Sequence, residues 1–163
     1  MDLNSLMKML ANKNGVTREK ARKSLVTIGK PAVLSLTRAL LNPKSEQLRW
    51  EAAKTLGSID DTRAIPSLLK ALEDSNHDVA WLAALALKRY KKTAWPQLLN
   101  LLTKNKKDST LLRLGAHHIL LDQKEAGFNE LLTVLKKSLE PGTSPELTTL
   151  AAHNMINRMK VKS

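Results

Sequence analysis

Apolar residues between Leu48 and Leu87 recur at helical spacing, in two stripes that alternate along the chain. One stripe is Leu48, Ala52, Ala53 and Leu56; the other is Ile65, Leu68, Leu69 and Leu72. Both follow the i, i+3/i+4, i+7 rhythm of a helix that buries one side. Between them lies Gly57-Ser58-Ile59-Asp60-Asp61-Thr62, a glycine stop followed by polar residues suited to starting the next helix. The first stripe then returns. Val79-Ala80-Trp81-Leu82-Ala83-Ala84 repeats Leu48-Arg49-Trp50-Glu51-Ala52-Ala53, with the two tryptophans 31 positions apart. A period near that value marks stacked helix pairs, each burying its apolar side on its neighbours.

The repeat extends in both directions more loosely. Ala21, Leu25 and Ile28 precede Ala52, Leu56 and Ile59 by 31 positions, and Leu36 and Leu40 precede Leu68 and Leu72 by 32. Downstream, Leu98, Leu99 and Leu102 follow Leu68, Leu69 and Leu72 by 30. Leu131, Leu132 and Leu135 continue the second stripe, and Leu147, Ala151, Ala152 and Met155 the first. The pattern predicts an all-α chain of about ten helices forming one domain over 1–163. It starts with a half-unit cap at about 1–14. Repeats follow at about 15–43, 44–74, 75–106 and 107–139, and a last helix covers about 144–159. Thr17 is the expected N-cap of the second helix, Ser45 and Ser144 cap later ones, and Gly29 is a stop. Pro31, Pro66 and Pro145 fall at helix starts, where a missing N–H costs little.

Residues 49–72 carry arginine, Ala-Ala, Leu-Gly, an Asp-containing turn and then Ala-Ile-Pro-x-Leu-Leu-x-x-Leu. This resembles the HEAT-like repeat of the phycobilisome-lyase type. The third unit keeps Val79, Ala83, Ala84 and Leu87 but has Ala80 in place of the arginine. The resemblance implies a right-handed α-α superhelix, a HEAT-like α-solenoid whose second helices line a concave face. It also implies, from the family name, a relation to bilin-attachment systems, as an accessory subunit. No residue here can be assigned to a bilin contact.

Catalytic signatures are missing from the sequence. There is no glycine-rich phosphate loop, His-Glu-x-x-His or Gly-x-Ser-x-Gly. His77, His117, His118 and His153 include no His-Glu pair, and adjacent histidines on a helix diverge by about 100°. With no cysteine, thiolate metal sites and cysteine nucleophiles are excluded, and a reducing cytoplasmic setting fits. The expectation is therefore a non-enzyme with no catalytic, cofactor or metal site. The start, MDLNSLMKML, lacks the long apolar core of a signal peptide, and the apolar run Val79–Leu87 is too short to span a membrane. That run is read as a buried helix, with a partner patch as the alternative. Trp50 and Trp81 are read as packing between units, and Trp95 as core.

Charge changes the picture more than composition does. The formal net charge is +12, but residues 31–87 sum to −1, whereas 1–30 sum to +5 and 88–107 to +7. Superposing the second helices places Lys8, Arg38 and Lys70 in one register, each two positions before a core leucine. These would form a ladder at the spacing of packed helices, about 8–10 Å. Lys88, Arg89, Lys91 and Lys92 end one helix, and Lys104, Lys106 and Lys107 end the next, where the helix dipole also favours cations. These ten residues are the candidate binding set. The leading partner is another protein, acidic in character. Sequence-independent nucleic acid is the alternative, although no interleaving of cations with exposed aromatics is evident for base stacking. The chain is expected to be a monomer, with a dimer through the Trp81/Leu85 region as the other possibility.

Overall fold

The computed structural model describes residues 1–104 and 108–162. Among these the chain is all-helical, with ten α-helices. They group into two compact units, Met1–Tyr90 and Lys91–Ser163, where the repeat pattern suggested one uninterrupted run. The division falls after the helix that carries Trp81.

The first unit contains α1 (Leu3–Leu10), α2 (Gly15–Ile28), α3 (Val33–Leu40), α4 (Glu46–Leu56), α5 (Ile65–Ala71) and α6 (His77–Arg89). Helices α3 and α5 are each entered through a single 3₁₀ turn, Lys30–Ala32 and Thr62–Ala64. Pro31 sits in the first of these turns and Pro66 in the first turn of α5, so neither removes a needed N–H. Ser45 caps α4 by accepting from the Leu48 N–H at 3.1 Å, as expected. At α2 the cap is Asn14 rather than Thr17: its side-chain oxygen accepts from the Thr17 N–H at 3.1 Å. Asparagine is the stronger capping residue, and using it adds Gly15, Val16 and Thr17 to the helix. Gly29 ends α2 with φ +70°, a conformation that a side chain would strain.

Packing in this unit follows the repeat. Helices α1, α3 and α5 (the second helices) pack on α2, α4 and α6 (the first helices) respectively. The first helices also form their own layer, α2 on α4 and α4 on α6, while α3 meets α5. The paired small residues Ala52-Ala53 and Ala83-Ala84 are buried and allow α4 and α6 to approach closely. Leu25, Leu36, Leu40, Leu56, Leu68, Leu72 and Leu87, all read from the stripes, are buried as well.

The second unit contains α7 (Trp95–Lys104), α8 (Thr110–Leu120), α9 (Asn129–Ser138) and α10 (Pro145–Lys162). Helix α10 packs on both α7 and α9, and α8 packs on α9. Trp95 is 1 % exposed and meets Phe128 edge to face, with ring centroids 5.7 Å apart. Its indole N–H donates to Gln123 Oε1. The core reading of Trp95 therefore holds, and the polar end of the ring is satisfied as burial requires.

Candidate binding surfaces

The second-helix cations are on the surface of the first unit. Lys8 on α1, Arg38 on α3 and Lys70 on α5 are all exposed, each beside a buried leucine two positions on. None of the three has an ion pair or side-chain hydrogen bond among the described residues. The remaining candidates are not brought to one place. Lys88 and Arg89 close α6 in the first unit, the former half-buried and the latter exposed. Lys91, Lys92 and Lys104 belong to the second unit. Lys92 is engaged there: its ammonium is 3.2 Å from Glu125 and lies 4.7 Å from the centroid of the Phe128 ring. Lys106 and Lys107 lie outside the described residues.

The first-helix arginines are used internally. Arg49 is buried, and its guanidinium donates to both oxygens of Asp74, at 2.7 and 3.0 Å, and to the Asn42 carbonyl at 3.0 Å. The hydrogen bonds to Asp74 raise the Arg49 pKa further above its ordinary value. Arg113, at the matching position of α8, donates to the Ser138, Glu140 and Thr143 carbonyls and to Asp108. These arginines bind loops of neighbouring repeats to the first helices, and Ala80 makes no such bridge because it has no donor. Arg63 and Asp61 form a smaller local pair at the start of the turn before α5. The Arg63 guanidinium, aided by the Arg63 backbone N–H, holds the Asp61 carboxyl down at about 2.

A third arrangement joins α2 to α4. Glu51 is 1 % exposed and accepts from Arg18 Nε at 2.7 Å, from Arg22 Nη1 and from Gln47 Nε2 at 3.2 Å. Arg22 also lies 5.7 Å from the centroid of the Trp50 ring, and the Lys54 ammonium is 4.7 Å from the same centroid. Two shallow grooves flank this cluster. One, about 530 Å³, is lined by Arg18, Arg22, Glu46, Gln47, Trp50 and Asp78 among others. The other, about 440 Å³, is lined by Glu19, Arg22, Lys23, Lys54, Thr27 and Ser58 among others.

Helix α6 differs from its sequence reading. It buries Val79, Ala83, Ala84, Ala86 and Leu87, but Trp81 is 54 % exposed and Leu85 38 %. A first helix in this unit is covered on the sides facing its paired helix and its layer neighbours. Positions 81 and 85, one turn apart, point away from both. Trp81 is thus more than half exposed, and its register mate Trp50 is half-buried beside its two cations. Sequence reasoning offered a Trp81/Leu85 patch only as the alternative to burial, and it missed the Arg18, Arg22 and Glu51 cluster. The available signal was the offset of Glu51 from Arg18 and Arg22, 33 and 29 positions, either side of the repeat length.

Among the described residues no group of three His, Asp or Glu side chains could hold a metal ion. No helix among them is long and apolar enough to cross a membrane.

Comparison with known proteins agrees with this architecture. No curated protein matches the chain. Among solved structures, the complex of CpcE and CpcF of phycocyanin lyase from Nostoc sp. PCC7120 is similar, with a TM-score of 0.60 and 21 % identity. The alignment covers 93 % of this chain and 97 % of that one. A family model for HEAT repeats matches residues 3–88 and 33–120. The stacked helix pairs, the arginines bridging their loops and this match together show that the chain belongs to the HEAT-repeat family.

Proposed function

We propose that this protein is a non-enzymatic scaffold that binds another protein, acidic at the point of contact, through the second-helix face of its first unit. One observation carries the reading: three second-helix cations stand in register without internal partners, while three first-helix arginines are held internally. Arg18, Arg22 and Arg49 on the first helices all have internal carboxylate partners. Lys8, Arg38 and Lys70, in register on successive second helices, are exposed and have none among the described residues. Cations held in register on packed helices suit carboxylates presented along a partner's surface, and such complementarity chiefly sets encounter rate and partner choice. The similar solved structure is a complex of two chains, CpcE and CpcF of phycocyanin lyase, which supports a protein partner. A role as an accessory chain in bilin attachment would be a narrower form of this reading, and no side chain here argues for it.

The test compares wild type with the Lys8→Glu/Arg38→Glu/Lys70→Glu variant, using a fluorescein-labelled polyglutamate peptide and a labelled DNA duplex over a salt series. Peptide binding lost in the variant, with duplex binding confined to low salt, supports the proposal. Micromolar duplex binding at physiological salt, lost in the variant, would replace it with nucleic-acid recognition. The expected salt slope is then about −0.9 per phosphate contact. Equal behaviour of variant and wild type would remove the ladder as a binding surface.

A further inference from the structure

The first-helix face of the same unit has features the second-helix face lacks. We propose that it is a separate docking surface for an amphipathic helix of a partner protein, with acidic residues flanking an apolar stripe. The apolar component is the exposed pair Trp81 and Leu85 on α6. Next to them, on α4, lie their register mates Trp50 and Lys54. Helices α4 and α6 pack directly on each other, so the two rows are one interhelical distance apart, about 8–10 Å. That is the width a helix of about 10–12 Å diameter bridges when it lies along the furrow between two others.

Charge decides the occupant. Lys54 has no carboxylate partner among the described residues, and its ammonium shares the Trp50 ring with the Arg22 guanidinium. Arg22 is already paired with Glu51, so Lys54 is the cation of this pair left to meet an incoming carboxylate. The groove beside them continues along α2 with Lys23 and the hydroxyl-bearing Thr27 and Ser58, and Glu19 is the only acid that lines it. Glu19 pairs with Lys23 at 2.8 Å. An acidic flank laid over α4 therefore meets Lys54, while its apolar stripe covers Trp81 and Leu85. A polyanion fits less well. Asp78 lies one turn before Trp81 on α6, and Glu46 and Asp78 line the groove at the other end of the same face. A phosphate backbone running along the face would meet them. Tryptophan and arginine are also enriched in protein-binding hot spots.

This surface is independent of the second-helix ladder, and its test keeps the two apart. A display library of helical 16-mers with varied surface positions is selected on the immobilised full chain. The enriched peptide is then measured by fluorescence anisotropy against Trp81→Ala, Lys54→Glu and the Lys8→Glu/Arg38→Glu/Lys70→Glu variant. All the substituted side chains are exposed, and circular dichroism confirms that each variant remains folded. The expected peptide has Leu, Ile or Phe at i, i+3/i+4 spacing flanked by Asp or Glu. Trp81→Ala and Lys54→Glu each weaken it at least tenfold, while the triple second-helix variant binds it as wild type does. No enrichment, enrichment of basic peptides, or affinity unchanged by both first-helix substitutions would overturn the proposal. So would binding of a labelled oligothymidylate that requires Trp81 and falls steeply with salt, which would assign the face to single-stranded nucleic acid.

Discussion

Replacing Arg49 by methionine tests how far these repeats depend on their internal arginines. Methionine keeps much of the apolar stem and removes the guanidinium, so the change reports the polar contacts. Three hydrogen bonds disappear, two to Asp74 and one to the Asn42 carbonyl. The side chains of Arg49 and Asp74 are 9 % and 8 % exposed, so the carboxylate left behind has little water to replace its partner. Breaking a buried pair by removing one member costs about 3–5 kcal/mol, mostly the desolvation of the ion that remains. Asp74 still accepts from the Asn76 N–H at 2.8 Å, which places the expected loss near the lower end, about 3 kcal/mol. The double variant Arg49→Met/Asp74→Asn removes the stranded charge but keeps an oxygen for the Asn76 N–H. It should therefore be more stable than Arg49→Met alone, with a coupling of about 1–3 kcal/mol. Urea unfolding followed by circular dichroism gives the totals. Two compact units can unfold in separate steps, so amide exchange within α4 supplies the local value. A loss below about 1 kcal/mol for Arg49→Met, or a double variant as unstable as the sum of the singles, would refute the reasoning.

Two further outcomes follow from the same contacts. Asp61 titrates at about 2 in the folded chain, against about 3.9 when unfolded, so its stabilising contribution is complete above pH ~4 and lost between pH ~4 and ~2. The melting temperature of wild type minus that of Asp61→Asn should therefore shrink as pH falls through that window, and a difference independent of pH would contradict the pairing with Arg63. Trp95→Phe leaves a gap beside Phe128 and takes the indole donor from Gln123, for an expected loss of about 2 kcal/mol or more in thermal or urea unfolding. A loss under about 0.5 kcal/mol would mean that the Trp95–Gln123 bond contributes nothing net.

Most of the helical framework was legible because it follows from short-range rules. Leu56, Leu72 and Leu87 are buried because their spacing places them on one side of a helix, and that spacing is visible without coordinates. Ser45 could be read as a cap because a serine immediately before an apolar-periodic run has few alternatives. At α2, Thr17 was expected as the cap, and Asn14, the stronger capping residue, takes that role instead. Trp81 was misread for a different reason. Val79–Leu87 is apolar throughout, so periodicity shows no solvent side, and the register shared with Trp50 suggested a shared burial.

The chain's own pattern determined that it is all-helical, that its unit is a helix pair of about thirty residues, and, outside α6, which side of a helix with a clear apolar stripe faces the core. Those properties depend on residues within a few turns of one another, and the repeat multiplies the signal. Tertiary structure alone decided which charges remain available. Arg22 and Lys54 look alike in the sequence, yet one holds a buried glutamate about thirty positions away and the other makes no ion pair among the described residues. It also decided that Trp81 and Leu85 point outward, because exposure depends on how many neighbours a helix has. The division between Tyr90 and Lys91 has the same origin, since a compact unit is defined by contacts between helices far apart in the chain.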